Sequence, residues 1–228
     1  MFDRFGREIT YLRVSVTDRC DFRCTYCMPE DGVAFRPHAQ ILSYESIAAI
    51  VRSGAELGIR KVRLTGGEPL VRRDLPRLVE QIHAVAGIEH IAMTTNGSLL
   101  ARYAEPLRRA GLSSVNVSLD TLDPDTFKSI TRRGRLEDVI AGIDAAVAAG
   151  FAPMKLNMVV APDTTREEIA RMRAFADGKG MKLQLIAHYR LDVAKHDEYS
   201  FDRPPKCSEC NRLRLTADGV LKPCLHSP

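Results

Sequence analysis

Along the first 187 residues, short apolar-rich runs alternate with stretches whose apolar positions recur at helical spacing. The short runs predict strands at Tyr11–Val16, Lys61–Thr65, His90–Thr95, Ser114–Leu119, Met154–Val160 and Lys182–Ile186. Helix punctuation falls between them. Ser43 predicts the cap of a helix running to about Leu57, Asp74 that of one to about Val85, and Ser98 that of one to about Arg109, with Gly111 as its stop. Leu136 to Ala149 is followed by Gly150. Thr165, with Glu167 and Glu168 in the first turn, opens a helix that ends near Gly178 and Gly180. Six strand–helix units in one run predict an α/β fold with a parallel sheet, and suit a partial (β/α)6 barrel better than a dinucleotide-binding fold. The site is then expected at the strand ends, as in complete (β/α)8 barrels. After about His188 the pattern breaks. The expected organisation is a barrel over 1–188, a polar linker over 189–206 with Pro204 and Pro205, and a short cysteine-bearing element over 207–228.

Composition narrows the function classes. A chain of 228 residues with 45% apolar and 27% charged residues buries a core without disulfides. Trp is absent and aromatics are 6%, which disfavours a base-stacking nucleic-acid platform. A net charge of +4 is mild for a nucleic-acid binder, but it suits a small anionic substrate if the cations converge on one pocket. No apolar run approaches the roughly 18 residues of a membrane span. Met1 to Thr10, with Asp3, Arg4, Arg7 and Glu8, lacks the apolar core of a secretion signal, so the expectation is a cytoplasmic protein with neither membrane nor nucleic-acid partners.

The six cysteines form two sets of three, Cys20, Cys24, Cys27 and Cys207, Cys210, Cys224, with 179 cysteine-free residues between the sets. A disulfide scaffold would spread them through a small secreted chain, so metal or iron–sulfur ligation is the better reading. Structural zinc usually closes with four protein ligands, and a [4Fe–4S] cluster has four irons to ligate. Three thiolates per set leave a position open for chemistry. For the second set the alternative is a Cys3His zinc site completed by His226.

The first set stands in Asp18-Arg19-Cys20-Asp21-Phe22-Arg23-Cys24-Thr25-Tyr26-Cys27-Met28-Pro29, directly after the first predicted strand, and Gly66-Gly67-Glu68-Pro69 follows the second. This pair of motifs resembles the radical S-adenosylmethionine (SAM) superfamily, whose fold is a TIM-like partial barrel. As bare residues the two glycines read as a tight turn or as a backbone open to a ligand. Arg63-Leu64-Thr65, Thr94-Thr95-Asn96-Gly97, Val115 to Asp120, Lys155-Leu156-Asn157 and the tail Cys207 to Thr216 with Cys224 extend the likeness. Together they resemble the GTP 3′,8-cyclase family of molybdenum cofactor biosynthesis.

The resemblance implies two [4Fe–4S] clusters and SAM as cofactors, GTP as substrate, and an external electron donor such as flavodoxin or ferredoxin. It leaves a homodimer open. It implies reductive cleavage of SAM to a 5′-deoxyadenosyl radical, which removes hydrogen from C3′ of GTP so that this carbon closes onto C8. Cys20, Cys24 and Cys27 would be the catalytic cluster ligands, and Cys207, Cys210 and Cys224 the ligands of the second cluster. Tyr26, Gly66, Gly67, Glu68, Ser118 and Tyr189 would contact SAM. Arg13, Arg63, Thr94, Lys155, Arg212, Leu213 and Arg214 would contact GTP. The charges make separate sense, since Arg13 and Arg63 lie on or beside barrel strands, where a long cation is costly without an anion. Taken singly, Arg212, Arg214 and Lys155 read as solvated cations, and Ser118 and Thr94 as ordinary strand residues.

Three features depart from the family pattern. Ala187-His188-Tyr189 stands where the sixth strand usually carries a methionine-containing stretch, and Gln184 where an arginine is expected. Only Arg190 to Lys206 separates that strand from the second cysteine set, and no double-glycine tail follows Cys224. A paralogue acting on another nucleotide or on a peptide is the second reading. A non-catalytic module that carries a metal or cluster is the third.

Overall fold

The computed structural model describes residues 2–3, 6–187 and 209–224. In chain order the elements are β1 (Tyr11–Ser15), α1 (Tyr44–Glu56), β2 (Lys61–Thr65), α2 (Leu75–His83), β3 (His90–Thr95), α3 (Leu100–Arg109), β4 (Ser114–Ser118), α4 (Pro124–Thr131), α5 (Leu136–Ala148), β5 (Met154–Val160), α6 (Arg166–Gly178), β6 (Met181–Ala187), β7 (Arg212–Leu215) and β8 (Leu221–Lys222). The strands form one sheet in the order β6-β5-β4-β3-β2-β1-β7-β8. All neighbours are parallel except the antiparallel pair β7–β8. The sheet stays open between β6 and β8, which makes it the expected partial barrel.

All six predicted strands form, with ends within one residue of expectation. Helix starts follow local chemistry. The Ser43 side chain accepts from Ser46 N–H to open α1, and Thr165 and Glu168 form a reciprocal capping box on α6. Two expected caps are corrected. Asp74 stands before α2 with φ at 56° and its side chain does not cap. Ser98 does not cap α3, which starts after Leu99, because its hydroxyl is drawn to Asp21 and Asn96. Helix α4 was not expected. Asp123 caps it by accepting from Thr126 N–H, and Pro124 occupies its first position.

The strands alternate strictly in β1, β2 and β4, where every second residue is buried. Leu12, Val14, Val62, Leu64, Met93, Val115, Val117 and Leu156 form the outer face and pack with Ile47, Val51, Leu78, Ile82, Leu107, Ile143 and Met172 of the helices in one core. The other face is left for polar residues. A parallel sheet covered on both faces reads as continuous apolar strands, so the alternation itself marks an inner face that opens to something other than protein.

Candidate active site

The loop after β1 carries the first cysteine set, and four neighbouring segments hold it. From β2, Gly67 N–H donates to Thr17 O at 2.9 Å and Glu68 N–H to Arg19 O at 2.8 Å. A side chain has no room there: a Cβ on Gly67 would lie 2.2 Å from Arg19 O, and one on Gly66 2.8 Å from Thr17 O. The two glycines therefore admit the cysteine loop on one side while their other side stays exposed. From β3, Asn96 Nδ2 donates to Asp21 Oδ1 at 2.8 Å and Ser98 Oγ to Asp21 Oδ2 at 2.6 Å. From α4, Thr131 O and Ile130 O accept from Arg23 N–H and Thr25 N–H at 3.0 and 2.9 Å. Arg132 Nη1 donates to Arg23 O and Met28 O at 2.9 and 3.1 Å, and the Phe22 and Phe127 rings meet edge to face. Tyr26 OH reaches across to Asp120 Oδ2, beyond β4, at 2.6 Å.

Glu68 is buried rather than open to the mouth of the barrel. Its Oε1 accepts from Leu70 N–H and Thr95 Oγ1, and its Oε2 from Asn96 N–H. It brackets the ends of β2 and β3 together.

Cys20 and Cys24 are half-buried and Cys27 is exposed. Burial pushes the Cys20 thiol up to about 11 and the Cys24 thiol up to about 12, with each cysteine's neighbours in the set adding to the rise. Thiolates gathered in this way need a cationic partner. Among the described residues no three His, Cys, Asp or Glu side chains converge on a point that one metal ion could fill. A cluster differs from a single ion in taking one thiolate per iron, and three cysteines spread along one braced loop fit that donor set. On β5, Asn157 Oδ1 is buried without a hydrogen-bond partner among the described residues, in register with Ser118. Such an acceptor calls for a ligand hydroxyl or amino group, which fits SAM.

The inner face below carries cations from β1, β2, β5, β6, β7 and β8, with neutral polar residues on β3 and β4 between them. The described strands hold eight lysines and arginines and no aspartate or glutamate. Pairing places all eight on the inner face: Arg214, Arg13 and Arg63 lie level, Arg212, Tyr11, Lys61 and His90 lie one step down, and Lys155 is level with Lys182. Lys222 stands opposite Arg214. Arg13, Lys61, Arg63, Lys155, Arg212 and Arg214 form no ion pair with any described residue. Arg63 Nη1 donates to Thr94 Oγ1 at 3.0 Å. Burial, followed by repulsion from Arg214, Arg63 and Arg212, pushes Arg13 down to about 10, with Tyr11 opposing. A face this crowded with like charge fits a polyanion.

Leu213 is the exception among the expected substrate contacts, since its side chain packs on the core side, between the inward-facing Arg212 and Arg214. Because β7 runs parallel to β1, Cys210 lies at the N-terminal ends of the strands, opposite the first set. The β7–β8 hairpin turns the chain back so that Cys224 returns toward that same end. The strand between spans roughly 16 Å at ~3.3 Å per residue. His188, Tyr189, Cys207, His226 and the linker lie outside the described residues. The bracing residues Asp21, Ser98, Asp120 and Arg132 were not singled out as functional by the sequence reading. For Ser98 and Asp120 the available signal was a polar residue just past the ends of β3 and β4; Arg132, at the end of α4, carried none.

A family model described as the radical SAM superfamily matches residues 14–176. GTP 3′,8-cyclase of Marinobacter nauticus is 51% identical over 269 positions, covering 98% of this chain and 81% of that protein. GTP 3′,8-cyclase of Petrotoga mobilis is 42% identical over 272 positions, covering 100% of this chain and 84% of that protein. The latter match exceeds the 228 residues here by 44, so at least that many positions of the relative face no residue in this chain. Among solved structures, Streptococcus suis SuiB bound to S-adenosylmethionine superposes with a TM-score of 0.76 over 96% of this chain and 60% of that one, at 16% identity. The structure of anSMEcpe with bound AdoMet gives 0.66 over 84% and 53%, at 17% identity. At these identities the structural likeness shows the fold.

Proposed function

This chain belongs to the radical SAM superfamily and, within it, to the GTP 3′,8-cyclase family; from that premise we propose that it converts GTP to (8S)-3′,8-cyclo-7,8-dihydroguanosine 5′-triphosphate in molybdenum cofactor biosynthesis. The observation that carries the substrate is the inner face, with eight cations in its strands and no carboxylate.

Membership implies SAM and one [4Fe–4S] cluster, and Cys20, Cys24 and Cys27 are the residues that would hold that cluster. When bound, the two supply the one-electron chemistry that removes the ribose C3′ hydrogen. The chain's own residues do the rest. Gly66 and Gly67 set the cysteine loop against β2, while Asp21 and Glu68 lock it to β3. Ser118 and Asn157 offer polar groups to SAM, and the exposed backbone of Gly66 and Gly67 and the Tyr26 segment border the same mouth. Arg13, Arg63, Lys155, Arg212 and Arg214 bind the triphosphate by charge-assisted hydrogen bonds, with Thr94 orienting Arg63. Cys210 and Cys224, joined by Cys207, would hold a second cluster at the far end of the strands. An electron donor of the flavodoxin or ferredoxin type would complete the system.

Two substitutions test this on reconstituted protein. Cys24→Ala removes a cluster ligand, and SAM cleavage is expected to fall below detection. Arg212→Ala removes a charged donor worth ~1.5–3 kcal/mol, so GTP affinity is expected to drop about 10- to 100-fold while uncoupled SAM cleavage persists. If Arg212→Ala binds GTP as tightly as the parent, β7 does not face the nucleotide.

A further inference from the structure

Tyr11 has no role in the resemblance, yet three cations of the inner face are arranged around it. Its hydroxyl accepts from Arg63 Nε at 2.5 Å. Lys61 Nζ lies 5.4 Å from its ring centroid and Arg212 Cζ 5.8 Å. Register puts these two on either side of it, Lys61 from β2 and Arg212 from β7. Arg13 is two residues along the same face of the same strand. Adjacent strands lie only about 4.8 Å apart, so cations placed level on neighbouring strands repel unless something intervenes. A phenol suits the place. Its ring face is electron-rich and attracts the two flanking cations, its oxygen accepts from the third, and it brings no negative charge that would compete with an anionic ligand.

We propose that Tyr11 is a positioning residue for the phosphate end of the substrate, holding Arg63, Lys61 and Arg212 in place before a nucleoside triphosphate arrives. It acts through these cations and not by touching the reacting atoms. The inference rests on the reading that the inner face receives the phosphates of GTP. Preorganised donors avoid the cost of ordering long side chains on binding, so the loss of Tyr11 falls on affinity more than on chemistry.

The test uses the reconstituted holoprotein with Tyr11→Phe, which keeps the ring and drops the hydroxyl, and Tyr11→Leu, which drops both. Calorimetry measures binding of GTP, inorganic tripolyphosphate and guanosine. Reductive SAM cleavage and the GTP KM and kcat are followed in parallel. The expected result is that Tyr11→Phe weakens GTP and tripolyphosphate by about tenfold and Tyr11→Leu by about a hundredfold. Guanosine affinity and uncoupled SAM cleavage stay as in the parent, and KM rises while kcat changes little. If Tyr11→Leu does not fold, Tyr11→Phe alone decides. Unchanged GTP and tripolyphosphate affinities in the variants overturn the role of Tyr11 and leave the GTP reading standing. Equal losses for guanosine overturn it too, because the damage is then general. A parent that binds GTP but not tripolyphosphate places the phosphates elsewhere and removes the proposal. A parent that binds neither removes the GTP reading along with it.

Discussion

The Glu68 carboxylate is 1% exposed and takes donors from two loops. Burial pushes its pKa from 4.5 up to about 7, and the three donors pull against that rise without cancelling it. Between those two values the folded protein binds the proton more tightly than the unfolded chain does. The stabilising contribution is therefore complete below about pH 4.5 and is lost as pH rises through about 7. Urea unfolding of the cofactor-free protein is expected to show the parent losing stability over that window relative to Glu68→Gln, which does not titrate there. Parallel pH profiles for the two proteins would contradict this. The motif containing Glu68 was legible in the sequence, but its burial was not. Gly-Gly-Glu-Pro reads as a ligand turn, and only the packing of Thr17 and Arg19 against both glycines shows that the turn also seats the cysteine loop.

At the scale of elements, α4 is the part the sequence reading missed. It is 8 residues long, shorter than the window over which a helical period can be counted, although Asp123-Pro124 was a usable start signal. Its C-terminal end braces the cluster loop, and Arg132 does so with φ at 62°, outside the comfortable range for a side-chain-bearing residue. Arg132→Gly relieves that backbone, worth ~1–2 kcal/mol, but removes charged donors to Arg23 O and Met28 O worth ~1.5–3 kcal/mol each. The expected net loss is about 2 kcal/mol in urea, with faster loss of iron to a chelator from the reconstituted protein. Iron retention equal to the parent's would show that α4 does not support the cluster loop. The remaining helices and the first six strands were legible from their apolar patterns, and for α1 and α6 also from local caps at Ser43 and Thr165.

At the scale of the molecule, the informative feature is where the tail goes. Arg212–Leu215 enters the main sheet beside β1, about two hundred residues away in sequence, pinned by Asn211 to Thr10 and by an ion pair between Arg36 and Asp218. No local pattern specifies such a long-range pairing, so the sequence left the second cysteine set as an appendage of unknown position. The pairing puts Cys210 and the first cysteine set at opposite ends of one cationic face. It also turns scattered arginines, each unremarkable alone, into a row. The alternation that left this face free of carboxylates was present in the sequence all along, in Tyr11-Leu12-Arg13-Val14-Ser15 and Lys61-Val62-Arg63-Leu64-Thr65.

The most direct measurement is anaerobic turnover of the reconstituted protein with SAM, a reductant and GTP deuterated at the ribose 3′ carbon. Mass spectrometry of the 5′-deoxyadenosine product decides the matter, because from unlabelled GTP the cyclised nucleotide is an isomer of its parent and its mass reports nothing. Deuterium in 5′-deoxyadenosine is the predicted result. SAM cleavage with no deuterium transferred would keep the superfamily and contradict GTP as the substrate held on the cationic face.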